Sequence, residues 1–334
     1  MAVSFDTVKA QNAKLKSLNA GQVGVFVGGT AGIGEFALKA FAQKTTNPKI
    51  YIVGRNGTAA STITVQAKKL NPESEVVFIK ADTSLIKNVD AACKDIQSKE
   101  DKINFLFMTT GYLTFDGRNE TSEGIDKKFC LNYYSRMRFV HNLLPELTAA
   151  SKEPNSLSRV VTVLSAGSEG PFIEDDLELK HNFSLRNCLS HAVIMNDFAC
   201  EELAKQHSGT AFVHVYPGFV KTGILDHGGM LMKILGRVAQ TVLSPMAVSP
   251  EESGERNLFH GSASMFAPRA SAGEDAAVGS DGTKGSGAYL VSWNGKKVGN
   301  QKILDALREK QMGKTIWEHT LEVFRRAEQT GPHA

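Results

Sequence analysis

The stretch Val23-Gly24-Val25-Phe26-Val27-Gly28-Gly29-Thr30-Ala31-Gly32-Ile33-Gly34-Glu35-Phe36-Ala37-Leu38-Lys39-Ala40-Phe41 changes its apolar period part-way. Val23 to Val27 is a short continuous apolar run, the signature of a strand buried on both faces. From Ile33 onward the apolar residues Ile33, Phe36, Ala37, Ala40 and Phe41 recur at helical spacing. The reading is strand, glycine-rich turn, helix. Gly28, Gly32 and Gly34 fall at that junction, where bare backbone permits a tight turn and lets amides approach a pyrophosphate at the positive helix N-terminus. Thr30 and Ile33 belong to the same loop and are candidate cofactor contacts.

The alternation continues outward. KIYIVGR (49–55), EVVFIKAD (75–82), INFLFMTTG (103–111), RVVTVLS (159–165) and TAFVHVYPG (210–218) read as strands. Helical patterns lie between them, including 61–70, 87–99, about 122–147 and about 185–206. Apolar strands separated by amphipathic helices predict a parallel sheet covered on both faces, an α/β, Rossmann-like, doubly wound fold. AYLVSW (288–293) predicts a last strand, 271–287 a mobile Gly/Ser/Asp-rich stretch, and 302–329 a closing helical segment. The expected organisation is one domain: residues 1–222 as a cofactor-binding core, and 223–334 as a substrate lid, last strand and C-terminal helices.

Composition narrows the function. The 334 residues are 42% hydrophobic and 22% charged, ordinary for a globular chain. A balance of 38 basic to 35 acidic residues, net +3, argues against a nucleic-acid partner. Cys93, Cys130, Cys188 and Cys200 are scattered without metal-site spacing, so no metal and a reduced, cytoplasmic setting are expected. The N-terminus lacks a signal-peptide apolar core, and no run is long enough for a membrane span.

At the end of the second strand, where an acid would hold a ribose 2′-hydroxyl, stands Arg55. A guanidinium pairs bidentately with a 2′-phosphate, which predicts NADP(H) as cofactor. Asp82, after the third strand, is placed to lie near the adenine.

These residues resemble the short-chain dehydrogenase/reductase family over about Val23 to Thr222. The resemblance rests on the glycine motif, Asp82, Gly111 after the fourth strand, Asn132 in KKFCLNYY, Ser165 after the fifth strand, and Pro217-Gly218-Phe219-Val220-Lys221-Thr222. It implies that Pro217, Gly218, Val220 and Thr222 border the nicotinamide; the family often forms dimers or tetramers through helix faces, and the sequence does not name the homo-oligomer. The family's usual site joins Asn, Ser and a Tyr-x-x-x-Lys pair on one helix. Here the helix reads NFSLRNCLSHAVIMNDFACEELA, which puts Asn187 where tyrosine belongs and His191 where lysine belongs. Imidazole titrates near ~6.5, so His191 is a candidate proton donor or base, with Asn187 one turn earlier holding a carbonyl. Tyr133 and Tyr134, beside Asn132, or a water held by Ser165, are the next candidates for the proton. The wording of this helix also resembles a divergent fungal branch of the family found among natural-product pathway reductases.

The segment ILDHGGMLMKILGRVAQTVLSPM (224–246) is apolar and carries Met230 and Met232, suited to an irregular hydrophobic small molecule. The expectation is an NADP(H)-dependent oxidoreductase acting on a carbonyl or alcohol of an apolar, secondary-metabolite-like substrate, with Ser165, Asn132, Asn187 and His191 as its catalytic set. A non-redox cyclase or isomerase using the cofactor as scaffold, or a cofactor-binding protein with reduced catalysis, are the competing readings.

Overall fold

Every strand runs in the same direction, so all the carboxyl ends line one edge. The computed structural model describes residues 2–112, 114–220 and 247–330. Its strands are β1 (Val23–Val27), β2 (Lys49–Gly54), β3 (Glu75–Lys80), β4 (Phe105–Met108), β5 (Arg159–Val163), β6 (Ala211–Tyr216) and β7 (Ala288–Ser292). They form one parallel sheet in the order β3-β2-β1-β4-β5-β6-β7. Val27 stands opposite both Val53 of β2 and Met108 of β4. The order reverses between β1 and β4, and ligands of open α/β sheets bind in the crevice at that point.

The helices are α1 (Phe5–Ala13), α2 (Gly32–Lys44), α3 (Gly57–Leu70), α4 (Ile86–Gln97), α5 (Lys127–Phe129), α6 (Ser135–Ser151), α7 (Leu185–Gln206), α8 (Pro250–Ser262), α9 (Gln301–Glu309) and α10 (Met312–Gln329). Buried side chains separate into two clusters, one on each face of the sheet. One face is led by Phe26, Phe41, Phe105 and Phe107, with ring centroids 5.5 to 5.9 Å apart. Gly254 lets α8 approach α2 closely, because a Cβ there would stand 2.5 Å from the Phe36 carbonyl oxygen.

Four sequence expectations change. The helix expected from about Ser122 starts at Lys127 and passes through a π turn, Cys130–Tyr134, before α6. The closing helical segment divides at Gln311, whose φ of 57° is left-handed. Residues 271–287 are packed rather than mobile: Ser280 is buried, Val278 bridges Lys284, and Arg308 donates to the Ser280 carbonyl at 3.1 Å. The helices α1 and α8 lie where no helix was expected. Ser4 and Ser249 cap them, each accepting an amide of the first turn at 3.1 Å. No described helix is long and apolar enough to cross a membrane, and no cluster suited to a metal occurs among the described residues. Thr222 and the segment with Met230 and Met232 lie outside the described residues.

Candidate active site

The candidate residues follow the sheet edge in order. Asp82 follows β3, Arg55 follows β2 and the glycine turn joins β1 to α2. Gly111 lies three residues past β4, Ser165 two past β5, and Pro217 to Val220 continue from β6.

At the switch point the chain has no room for side chains. Gly28 adopts φ 88°, and a Cβ there would lie 2.7 Å from Thr109 Oγ1. A Cβ on Gly34 would lie 2.4 Å from the Gly28 carbonyl oxygen. Gly32 is also left-handed, at φ 57°. Thr30 packs its methyl toward Gly54, and half-buried Ile33 joins the core below. No side chain caps α2 at Ala31. The contrast with α4 is informative: its first amides, Ile86 and Lys87, are taken at 2.6 and 3.0 Å by the Glu123 carboxylate. An uncapped helix start behind a turn with glycine at 28, 29, 32 and 34 fits a pyrophosphate. The residues therefore suit a nicotinamide dinucleotide, which would bring hydride-transfer chemistry to the β4–β6 end of this edge.

Arg55 is exposed and makes no ion pair among the described residues. Burial would raise the Asp82 carboxyl. The Ser84 amide and hydroxyl, donating at 3.1 and 2.8 Å, and the positive field of Arg55 and Lys127 instead hold it below the usual carboxylate range.

Asn132 sits inside the π turn, and its Oδ1 would be 3.2 Å from a Cβ on Gly111, so the two meet above the end of β4. A π turn displaces carbonyls from their usual partners, and side chains satisfy two of them here. Asn196 of α7 donates to the Asn132 carbonyl at 2.9 Å, while Arg136 Nε donates to the Leu131 carbonyl at 3.1 Å. Arg136 also donates to Thr162 Oγ1 at 2.7 Å and to the carbonyls of Val163 at 2.8 Å and Thr110 at 2.5 Å. One guanidinium thus ties together the segments that carry Asn132, Gly111 and Ser165. It is 1% exposed, and burial lowers it to about 9, still a cation at neutral pH. Neither Arg136 nor Asn196 was anticipated from sequence. The available signal was spacing alone, Asn196 five positions after His191 and Arg136 four after Asn132.

Ser165 is half-buried beyond β5. Asn187 lies in the first turn of α7, its backbone amide bonded to the Ser184 cap and its side-chain amide donating to the Asn182 carbonyl at 2.8 Å. His191 is fully buried: Nε2 accepts the Ile173 amide at 2.9 Å, and the ring stacks near Phe172 with centroids 4.5 Å apart. Burial lowers its imidazole to about 4, the Leu177 backbone and Asp176 offsetting only part of that. Tyr133 and Tyr134 do not reach the site. Their hydroxyls meet Thr320 Oγ1 at 2.6 Å and His319 Nε2 at 3.0 Å on α10, and both rings are fully buried. Gly218, at φ 71°, packs on the Trp293 indole, where a Cβ would lie 2.9 Å away. The segment it belongs to is held by the Val248 amide donating to the Phe219 carbonyl at 2.9 Å, and Val220 bridges Val248.

The short chain dehydrogenase family model matches residues 22–174, the stretch that carries the glycine turn, Asn132 and Ser165. An oxidoreductase of Emericella nidulans is 42% identical over 95% of this chain and 97% of its own length. The chain belongs to the short-chain dehydrogenase/reductase family and is an oxidoreductase of that type. A short-chain dehydrogenase/reductase of Stachybotrys chartarum is 28% identical over 96% of both chains. Among solved structures, the NADPH-bound carbonyl reductase from chicken fatty liver superposes with a TM-score of 0.57 at 20% identity, covering 84% of this chain and all of that one. This short-chain dehydrogenase/reductase thus shares the family's sheet order and glycine turn while carrying Asn187 and His191 on α7.

Proposed function

We propose that this short-chain dehydrogenase/reductase uses NADP(H) to interconvert a carbonyl and an alcohol on an apolar, natural-product-like small molecule. The observation that carries the cofactor choice is Arg55, an exposed guanidinium at the end of β2 with no acid in its place. Gly28, Thr30, Gly32, Ile33 and Gly34 would hold the pyrophosphate, Asp82 would border the adenine, and Gly111, Pro217, Gly218, Val220 and Thr222 would border the nicotinamide.

In this reading Ser165, past the end of β5, and Asn132, in the π turn beside Gly111, orient the substrate oxygen, each with its side chain only half-buried. Asn187 lines the same side. His191 acts through Ile173, fixing the Phe172–Ile173 segment beside α7. Residues 1–222 form the cofactor half of the site, and the chain from 223 supplies its cover. The test is stoichiometric loss of NADPH absorbance on adding a panel of apolar ketones and aldehydes, with NADH giving much weaker turnover. The missing Tyr-x-x-x-Lys pair favours a second reading, a non-redox cyclase or isomerase. Conversion of an added substrate with no change in nicotinamide absorbance would select that reading.

A further inference from the structure

The redox reading needs an acidic hydrogen, and α7 offers none in a usable position. Of the six tyrosines, Tyr51, Tyr133, Tyr134 and Tyr289 are buried with their hydroxyls engaged by Glu100, Thr320, His319 and the Ala267 carbonyl. Tyr216 is 41% exposed at the end of β6, two strands from β4 in the sheet. Tyr112 remains. It directly follows Gly111, the residue facing Asn132 Oδ1, and it is half-buried at the carboxyl edge.

Its surroundings are charged in a particular way. The ammonium groups of Lys127 and Lys128 face the Tyr112 ring at 5.6 and 5.9 Å from its centroid. Lys128 is 2% exposed and has no carboxylate partner among the described residues. It donates instead to the carbonyls of Asp116 and Gly117 at 3.0 and 2.9 Å. It also faces the Phe183 ring at 5.4 Å, one residue before the α7 cap. Lys128 therefore stands between Tyr112 and the start of the helix from which the usual tyrosine is missing. It precedes Asn132 by one helical turn, on the same stretch of chain.

We propose that Tyr112 is the proton donor of this enzyme, with Lys127 and Lys128 supplying the positive field: a tyrosine–lysine pair assembled from the β4 end and α5 instead of from α7. This rests on the oxidoreductase reading above. In carbonyl reduction the carbonyl carbon gains the hydride and the C=O π pair moves onto oxygen. The Tyr112 O–H bond breaks as the alcohol O–H forms. The phenolate left behind faces two ammonium groups, which stabilise the charge as it develops, and water returns the proton after the alcohol departs.

The test compares wild type, Tyr112→Phe and, as control, Tyr216→Phe. NADPH affinity is read by nucleotide fluorescence, and turnover is measured with acetophenone, benzaldehyde and larger aryl ketones. Nitration of Tyr112 by tetranitromethane is followed by mass spectrometry with and without NADPH. Tyr112→Phe should bind NADPH within about twofold of wild type while kcat falls roughly 10²- to 10⁴-fold with little change in KM, and Tyr216→Phe should stay near wild type. Bound NADPH should suppress nitration of Tyr112. A Tyr112→Phe variant with near-full kcat, or nitration indifferent to NADPH, overturns the proposal while leaving the oxidoreductase reading intact. A wild type that binds no NADPH overturns both.

Discussion

The Ile173 backbone amide donates to Nε2 of His191 at 2.9 Å, so the imidazole lone pair is spent on the segment that precedes α7. With that acceptor occupied and the ring at 0% exposure, the proton resides on Nδ1 and the histidine is a neutral structural bond. His191→Ala should then cost roughly 2–3 kcal/mol through a cavity beside Phe172 and an orphaned amide. The pH dependence of kcat between 6 and 8 should be unchanged. Urea melts and a pH–rate profile check this, and an inflection near neutrality that disappears in the variant would restore a proton-transfer role.

In the proposed reading, one exposed guanidinium, Arg55, sets the nucleotide preference. Losing a charge-assisted bidentate contact costs ~1.5–3 kcal/mol, so Arg55→Ala should weaken NADPH binding by roughly tenfold or more and leave NADH nearly unchanged. Fluorescence titration with both nucleotides decides it, and equal losses would transfer the preference to other residues.

Gly34 also has a structural role in its own turn. A Cβ there would press to 2.4 Å from the Gly28 carbonyl, a backbone atom that cannot swing aside. Gly34→Ala should abolish NADPH binding and also lower Tm, because the turn itself must open. A variant with wild-type Tm and wild-type affinity would contradict the geometry.

Arg136 spans the carbonyls of Thr110, Leu131 and Val163 from a position 1% exposed. Arg136→Met leaves those acceptors without donors, a loss on the order of 3–5 kcal/mol, and a single ammonium cannot reach all of them. Arg136→Lys should fold with reduced stability and weaker NADPH binding. Equal thermal stability of Arg136→Met and wild type would show the carbonyls are satisfied otherwise.

His260 gives the acid response a specific origin. Neither ring nitrogen has a hydrogen-bond partner among the described residues, Phe259 and Phe266 lie 6.0 and 6.1 Å away, and burial, aided by Arg256, lowers its imidazole to about 3. The unfolded chain takes up this proton below ~6.5 and the folded chain refuses it until about pH 3. Stability therefore falls as pH drops through that window, by ~1.4 kcal/mol per unit for this one group. His260→Leu should flatten the fall between pH 6 and 4 in denaturant melts. An unchanged slope would assign the effect to other groups.

The sequence by itself determined the sheet, the glycine turn and the line of candidates along the strand ends. Those features are local: a buried parallel strand needs an unbroken apolar run, a helix needs its own period, and the turn between them needs glycine at Gly28 and Gly34. It also revealed that α7 lacks its tyrosine and lysine, because that is a matter of which residue follows which. Tertiary structure decided what those residues do. Whether His191 exchanges a proton depends on Ile173, eighteen positions earlier, occupying its nitrogen. The environment of Tyr112 depends on Lys127 and Lys128 arriving from α5. The role of Arg136 depends on three carbonyls brought together only when β4 and β5 pair and the π turn closes over them. Burial and hydrogen-bond partnership arise between elements distant in the chain, so periodicity and spacing could name candidates along the sheet edge but not their surroundings.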